Sequence, residues 1–232
     1  MFALFGASHV VVLALIGGAA CLLIVVGRLW NVARLTATIR AALAMFLIVC
    51  WAIWFLYVYA QGWISVATLL PMHLCDWATI AVVVTLLYPN QRSYELAYFW
   101  ALSGTLQALL TPALTLDFPS PAFVLFFSLH GGVIASVLFL TLGIGMRPWP
   151  SSIPRVAAWS FAYLVAALAI NALFRTNFGF LSAKPAEPSL LDYLGPWPIY
   201  IAEEVLLGAV LIALLYAPFY FYDRSVAGRA HR

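Results

Sequence analysis

Charged residues are scarce in this sequence. Only 8% of its 232 residues are charged and 66% are hydrophobic, whereas soluble domains carry about 25% charged residues. This composition excludes a soluble globular protein and predicts an integral membrane protein. The hydrophilic pieces between the apolar runs are too short to form a soluble domain, so we expect a single transmembrane domain over residues 1–232.

Other features are missing as well. The first nine residues, MFALFGASH, contain no Lys or Arg, so they lack the basic region of a secretory signal and predict a mature first helix. The sequence shows no repeat and no low-complexity tract. Cys21, Cys50 and Cys75 all lie in apolar runs, where a disulfide framework is not expected. The net charge of +3 indicates no nucleic-acid partner.

Long apolar runs dominate what is present. About 20 helical residues, each rising about 1.5 Å, cross the hydrocarbon core of a bilayer. The sequence therefore predicts an all-α, polytopic membrane bundle of about seven helices. The predicted spans are roughly 9–27, 41–60, 66–88, 95–113, 122–146, 156–174 and 198–221. The fourth span is the weakest, because Glu95, Gln107 and Pro112 interrupt or border it.

Positive charges are distributed unevenly between the connections. Alternate connections and the C-terminal tail hold Arg28, Arg34, Arg40, Arg92, Arg147, Arg155, Arg224, Arg229 and Arg232. Only Arg175 and Lys184 fall on the other side. Cytoplasmic loops carry the excess of Lys and Arg, so we expect an outside N-terminus and a cytoplasmic C-terminus, in the bacterial cytoplasmic (inner) membrane. The long connection 175–197 then lies outside, and its prolines and aromatic residues predict an ordered cap over the bundle.

The polar residues inside the predicted spans lie mostly in the outer half of the membrane. The ionisable ones are His73, Cys75, Asp76, His130, Glu203 and Glu204. Near them, at the outer ends, are Gln107, Asn171, Arg175, Asn177 and Lys184. An ionisable group costs about 2.5–3.5 kcal/mol in hydrocarbon, so we expect these side chains to share a pocket. Each residue alone also has a structural explanation, as a hydrogen-bond partner between helices or, for the glutamates, in an ion pair with Arg175.

The segment LLPMHLCDW, residues 69–77, holds the densest group of polar residues. On an unbroken helix His73 and Asp76 share a face, whereas Cys75 is turned about 200° from His73. A thiol–imidazole pair therefore requires either that Pro71 loosen the helix or that His130, on another helix, serve Cys75. Cys75 is otherwise a small core hydrophobe.

Two further classes of function are open. His73, Asp76, His130 and a glutamate would suit zinc or iron, although their spacing matches no local motif and we expect no cofactor. Transport of protons or solutes requires polar residues in both halves of the membrane. The inner half offers only hydroxyls, tyrosines, Cys21 and Cys50, which argues against transport.

Four blocks of the sequence together carry a family resemblance. They are LLPMHLCDW, YELAYFWALSGTLQALLTPAL, FFSLHGGVI and TNFGFLSAKPAEPSLLDYLGPWPIY. From about residue 40 to 220 the chain resembles the YwaF-like bacterial integral membrane family, which is related to eukaryotic transmembrane protein 164. That relative is described as a phospholipid acyltransferase. The group is similar in fold to the androgen-induced protein family, membrane hydrolases of fatty acid esters that use a nucleophile and a histidine.

The resemblance implies acyl chemistry on a membrane lipid. The catalytic histidine would be His130, and the block around Pro71, His73 and Cys75 would hold the nucleophile. The eukaryotic block has a cysteine directly before the histidine, where this chain has Met72, so Cys75 is a displaced candidate. We expect Cys75 to attack an ester of an outer-leaflet lipid and His130 to act as base and then acid.

Supporting residues and an alternative complete the expectation. Asp76 would orient His73, and Gln107 or Asn177 would stabilise the oxyanion. The competing hypothesis is a non-catalytic subunit or lipid-binding scaffold of a larger membrane complex, in which the polar cluster holds the helices together. In both cases the partners are membrane lipid and, for the scaffold, other membrane subunits.

Overall fold

The computed structural model describes residues 1–30 and 32–230, and within them it contains helices and no β-strand. Arg232, counted in the charge distribution above, lies outside the described residues. The α-helices are α1 (Ala7–Leu29), α2 (Ala33–Ala60), α3 (Val66–Leu69), α4 (Leu74–Leu87), α5 (Gln91–Trp100), α6 (Leu106–Leu110), α7 (Pro121–Leu138), α8 (Ser152–Phe174) and α9 (Ile199–Ala230). Two π-helical turns, π1 (Ala101–Thr105) and π2 (Phe139–Gly143), follow α5 and α7.

The multi-pass character of the protein is confirmed. Within the described residues, the helical segments long and apolar enough to cross a membrane are Ala7–Leu29, Ala33–Ala60, Val66–Leu87, Pro121–Gly143, Ser152–Phe174 and Ile199–Val226. The predicted fourth span is also helical, as α5, π1 and α6 in succession, but it is not among these apolar segments. The first half of α5, which carries the polar residues Gln91, Arg92 and Glu95, explains the difference.

α2 begins at Ala33, eight residues before the predicted second span, which starts at residue 41. With 28 residues this helix is about 42 Å long, more than the hydrocarbon thickness of about 30 Å. Arg34 and Arg40 therefore continue the helix beyond the apolar core. Arg40 donates a hydrogen bond to the carbonyl oxygen of Leu86 at 3.2 Å, which ties this extension to the end of α4.

Pro71 breaks the third span. It has no backbone N–H and forces the preceding residue out of the helical conformation, and Leu70 is indeed extended. The helix resumes at Leu74 after His73, which is extended too. The Asp76 carboxylate accepts the backbone N–H of His73 at 2.9 Å and caps the new helix start. Of the two alternatives for the segment 69–77, the broken helix is therefore the one present.

The helices pack around a central pair. α4 and α5 form an antiparallel hairpin, α2 packs on α4, and α8 packs on α5. α7 packs on α1, α2 and α4, and α9 packs on π1. The core between the helices is apolar, and its largest fully buried side chains include Tyr94, Phe99, Phe127 and Phe139.

The crossing of α1 and π2 depends on glycine. A Cβ atom on Gly27 would lie 2.9 Å from the Phe139 ring and 3.0 Å from the Cα atom of Gly143. The backbone of Gly143 cannot move aside as a flexible side chain could. We expect Gly27→Ala to lower the free energy of unfolding by about 1–3 kcal/mol, the usual range for overpacking.

Denaturant or thermal unfolding in detergent measures this loss. Gly17→Ala on the same helix is the matched control, since a Cβ atom there meets nothing within 4 Å. Equal stability of the two variants would contradict the close packing of α1 on π2.

Candidate functional site

A cavity of about 920 Å³ lies between the helices, at the upper end of the roughly 300–1,000 Å³ of ligand pockets. Most of its wall is aliphatic or aromatic. Of the predicted site residues, those that line it are His73, Cys75, Asp76, Gln107, His130 and Glu204. The structure thus brings together residues from α4, α6, α7 and α9 around one space. No Lys or Arg belongs to the wall that the described residues form.

Cys75 lies in the first turn of α4, because the break at Pro71 makes Leu74 the first helical residue. The N-terminus of a helix favours negative charge, since its backbone N–H groups point outward. Thr79 donates a hydrogen bond to the Cys75 carbonyl oxygen at 2.7 Å, which fixes this first turn.

His73 immediately precedes α4. Its ring nitrogen Nδ1 accepts the backbone N–H of Gly179 at 3.4 Å, so the ring proton sits on Nε2. The ring also stands edge-on to Phe178, at a centroid distance of 5.2 Å. Asp76 binds the backbone of His73, and within the described residues no hydrogen bond joins its carboxylate to the imidazole. The imidazole is thus held by the segment that follows α8.

His130 has the opposite tautomer. Its Nδ1 lies 2.9 Å from the Phe126 carbonyl oxygen, which can only accept, so Nδ1 carries the proton and Nε2 keeps its lone pair. Stacking on Phe126 at 4.0 Å fixes the ring. In the described part of the chain, no hydrogen bond joins the Cys75 thiol to either imidazole. The groups share one cavity without forming a dyad in this conformation.

The π1 turn shapes the wall opposite Cys75. Ser103 and Gly104 of this turn line the cavity, and a Cβ atom on Gly104 would lie 3.0 Å from the Leu74 side chain. Glycine therefore permits π1 to approach the start of α4. π-Helical turns occur frequently at functional sites, and no residue pattern in the sequence indicated this one.

Sequence reasoning also missed Tyr163, which lines the cavity. Its hydroxyl oxygen, like Glu204 Oε2, is buried and has no hydrogen-bond partner within the described chain. Buried polar atoms are nearly always paired, so unpaired ones beside a cavity mark a place where a ligand or water supplies the partner. Hydroxyls in apolar runs are common, and only its position in the folded chain distinguishes this one.

The remaining predicted residues hold the connection between α8 and α9 and do not line the cavity. Asn171 donates to the Phe178 carbonyl oxygen at 2.9 Å and accepts its N–H at 2.8 Å. Asn177 accepts from the backbone of Ser182 at 2.9 Å. Lys184 donates to the Leu194 carbonyl oxygen at 2.8 Å. Each of these contacts fixes the backbone of the connection.

Two further predicted site residues lie at the ends of the connection between α8 and α9. Glu203 accepts the backbone N–H of Gly195 at 2.7 Å, and Arg175 ends α8 in a left-handed conformation with φ of 55°. Neither Glu203 nor Glu204 forms an ion pair with Arg175 among the described residues. The connection covers the cavity, since Gly179, Leu181 and residues 187–191 line it.

Gly179 links this connection to the rest of the wall. Its φ is +66°, a backbone angle that residues with a side chain rarely adopt. A Cβ atom there would also lie 2.7 Å from the Tyr163 hydroxyl. Both constraints require glycine at the residue that contacts His73.

The hypothesis of a metal site has no support from side-chain positions. Within the described residues, no three His, Cys, Asp or Glu side chains are placed to hold an ion.

One comparison with known proteins gives a match. The sequence model of the TMEM164 family matches residues 4–216. No curated protein and no solved structure matches the chain.

Proposed function

The chain belongs to the TMEM164 family, and from this premise we propose that it is a membrane-embedded lipid acyltransferase or ester hydrolase with a Cys/His mechanism. The observation that carries the proposal is the shared cavity: a thiol, two imidazoles and three carboxylates line an apolar space between membrane helices. An apolar wall suits an acyl chain, and the polar groups suit its ester. The family's resemblance to a phospholipid acyltransferase points to the same chemistry.

Cys75 is the proposed nucleophile. The thiol proton passes to Nε2 of His130, and the sulfur attacks the ester carbonyl carbon to form a tetrahedral oxyanion. When the carbonyl re-forms, the C–O bond of the lipid ester breaks, and His130 returns the proton to the departing alcohol. An acyl thioester on Cys75 remains. The tautomer of His130, with its free lone pair on Nε2, is the one that this step requires.

The second half of the reaction restores the thiol. An acceptor alcohol, or water in hydrolysis, gives its proton to His130 and attacks the thioester, and the departing sulfur then takes the proton back. Gln107 lines the cavity and is the side-chain donor we assign to the oxyanion. Asn177 is engaged in the backbone of the α8–α9 connection. Catalytic hydrogen bonds often tighten only when substrate binds. The mechanism requires such a change here, because the Cys75 thiol and the His130 imidazole must come into hydrogen-bond contact.

We further propose which membrane holds the protein and how the chain is oriented in it. The bias of Arg to one set of connections supports an outside N-terminus and a cytoplasmic C-terminus in the bacterial inner membrane. The cavity then opens in the outer leaflet, at the level where lipid esters lie. Among relatives, the blocks quoted above favour the YwaF-like bacterial branch.

Replacing Cys75 tests the enzyme proposal. We expect purified wild-type protein in lipid nanodiscs to release or transfer a labelled acyl chain from phospholipid, and Cys75→Ala to lose this activity because no thioester can form. Mass spectrometry should find an acyl adduct on Cys75 of the wild type that hydroxylamine removes. Cys21→Ala is the matched control, since Cys21 is exposed on α1 and outside the cavity. Equal activity of the two variants would overturn the nucleophile assignment.

One observation favours a second candidate function, a non-catalytic lipid-binding scaffold within a larger membrane complex. Within the described residues the thiol has no hydrogen bond to either imidazole, although all three groups line the cavity. A scaffold would bind phospholipid without turnover, and Cys75→Ala would bind it equally well. Lipid binding without an acyl adduct under the same conditions would therefore decide for the scaffold.

A further inference from the structure

The cavity reaches two pairs of membrane helices. Its wall includes residues of α2 and α7 and also residues of α8 and α9. Residues 74–76 of α4 line it too, as do Trp100, Ser103 and Gly104, so Cys75 belongs to the same wall. We call the part of the cavity lined by α2 and α7 the first arm and the part lined by α8 and α9 the second arm.

The first arm of the cavity runs between α2 and α7. Its wall includes Trp51, Trp54 and Phe55, which share one face of α2 because residues three and four apart are neighbours on a helix. Leu125 of α7 lines this arm and also an outer groove of about 550 Å³. That groove includes Leu56, which is 67% exposed on a membrane-spanning helix. The first arm thus ends one side chain away from the surrounding lipid.

The second arm runs between α8 and α9. Its wall is formed by one face of each helix, with Phe161 and Leu164 on α8 and Val205 and Gly208 on α9. Phe161 is 67% exposed and Val205 is 52% exposed, again on membrane-spanning helices. The second arm therefore reaches the lipid-facing surface of α8 and α9.

We propose that the cavity binds two acyl chains at once, one in each arm, with their polar ends meeting at Cys75. The identity of the occupants as acyl chains rests on the proposed function and on the position of both arms beside lipid-facing residues of membrane-spanning helices. The walls of both arms offer acyl chains apolar surface. The two chains belong either to one diacyl lipid or to two lipids.

Two substitutions separate the arms. A Cβ atom on Gly208 meets nothing within 4 Å, so Gly208→Leu places its side chain in open space and fills the second arm. Leu125→Trp fills the first arm at its outer end. Gly17→Leu on α1 is the matched control, since Gly17 also has open space but lies outside the cavity wall.

The experiment uses full-length protein that carries Cys75→Ala, so that binding is measured without turnover. A phospholipid with a diazirine at the end of one acyl chain is photocrosslinked in nanodiscs, and labelled peptides are mapped by mass spectrometry. We expect labels on both α2 and α9. Gly208→Leu should lose the α9 label and keep the α2 label, Leu125→Trp should do the reverse, and Gly17→Leu should keep both.

Label on one arm only, or loss of both labels in either blocked variant, would overturn the proposal. Native mass spectrometry identifies the source of the chains: one diacyl phospholipid, or two single-chain lysophospholipids, bound per protein supports it. A single lysophospholipid at saturation contradicts it. If both arms are labelled while the wild type shows no turnover, the enzyme proposal fails and the two-chain site stands.

Discussion

His130→Ala is expected to lower the rate of acyl release or transfer by about 10²–10⁴-fold, the usual contribution of a general base. The Phe126 carbonyl holds the proton on Nδ1 at 2.9 Å, so Nε2 is the nitrogen that can take the thiol proton. The loss should appear in kcat, because the histidine acts on the proton transfer and not on the apolar chain. Initial rates with labelled phospholipid measure it.

His9 provides the matched control for this result. Its side chain is fully buried, and both ring nitrogens are satisfied, by the Phe5 N–H at 3.0 Å and the Leu109 carbonyl oxygen at 2.8 Å. His9→Ala should therefore lower stability, since it leaves buried backbone groups unpaired, while the rate per folded molecule stays unchanged. A wild-type rate in His130→Ala, or an equal loss in both variants, would contradict the base assignment.

Arg155→Ala is expected to lower the free energy of unfolding clearly more than the loss of an exposed arginine does, because removing one partner leaves the other charge buried without it. Arg155 donates to both carboxylate oxygens of Glu95, at 2.8 and 2.6 Å. Glu95 is 1% exposed, whereas the arginine side chain is 41% exposed, so the arginine end of the pair is partly solvated. Without the arginine, a carboxylate is left in the interior with Gln91 as its remaining side-chain donor.

Chemical denaturation in detergent measures this loss, and Arg34→Ala is the control because Arg34 is an exposed arginine. The double variant Glu95→Gln with Arg155→Ala should recover much of the stability, since a neutral amide costs less to bury than a charge. A change below about 0.5 kcal/mol in Arg155→Ala would instead place this pair among ordinary surface ion pairs.

Composition was sufficient to predict the membrane bundle, because an apolar run of 20 residues has few alternatives to a membrane helix. The predicted spans overlap the helices closely, although α2 begins eight residues before its span and α9 ends nine residues after its span. The break at Pro71 was stated as a possibility, and the structure shows it. Helix periodicity cannot predict such a break, since it depends on whether the freed backbone groups find partners such as the Asp76 carboxylate.

The candidate site could be predicted only in part. The predicted depth in the membrane grouped the candidate residues at one level, and six of them do line one cavity. Depth alone does not determine which way a side chain faces, so Asn171 and Glu203 were included although they bind the α8–α9 connection. The π1 turn and Tyr163 left no recognisable pattern, because their place at the cavity arises from packing between helices.

The burial of α5 has a consequence for how the chain enters the membrane. Six of its ten residues are buried, including Glu95 and three aromatic side chains beyond Tyr94, whereas only 6% of the apolar window of α9 is buried. Insertion into lipid alone stabilises a segment little when it carries a carboxylate and an arginine near its start. α5 is therefore expected to leave the translocation channel together with α4, as a preformed hairpin. The charge of Glu95 is then neutralised only later, when α8 brings Arg155 against it.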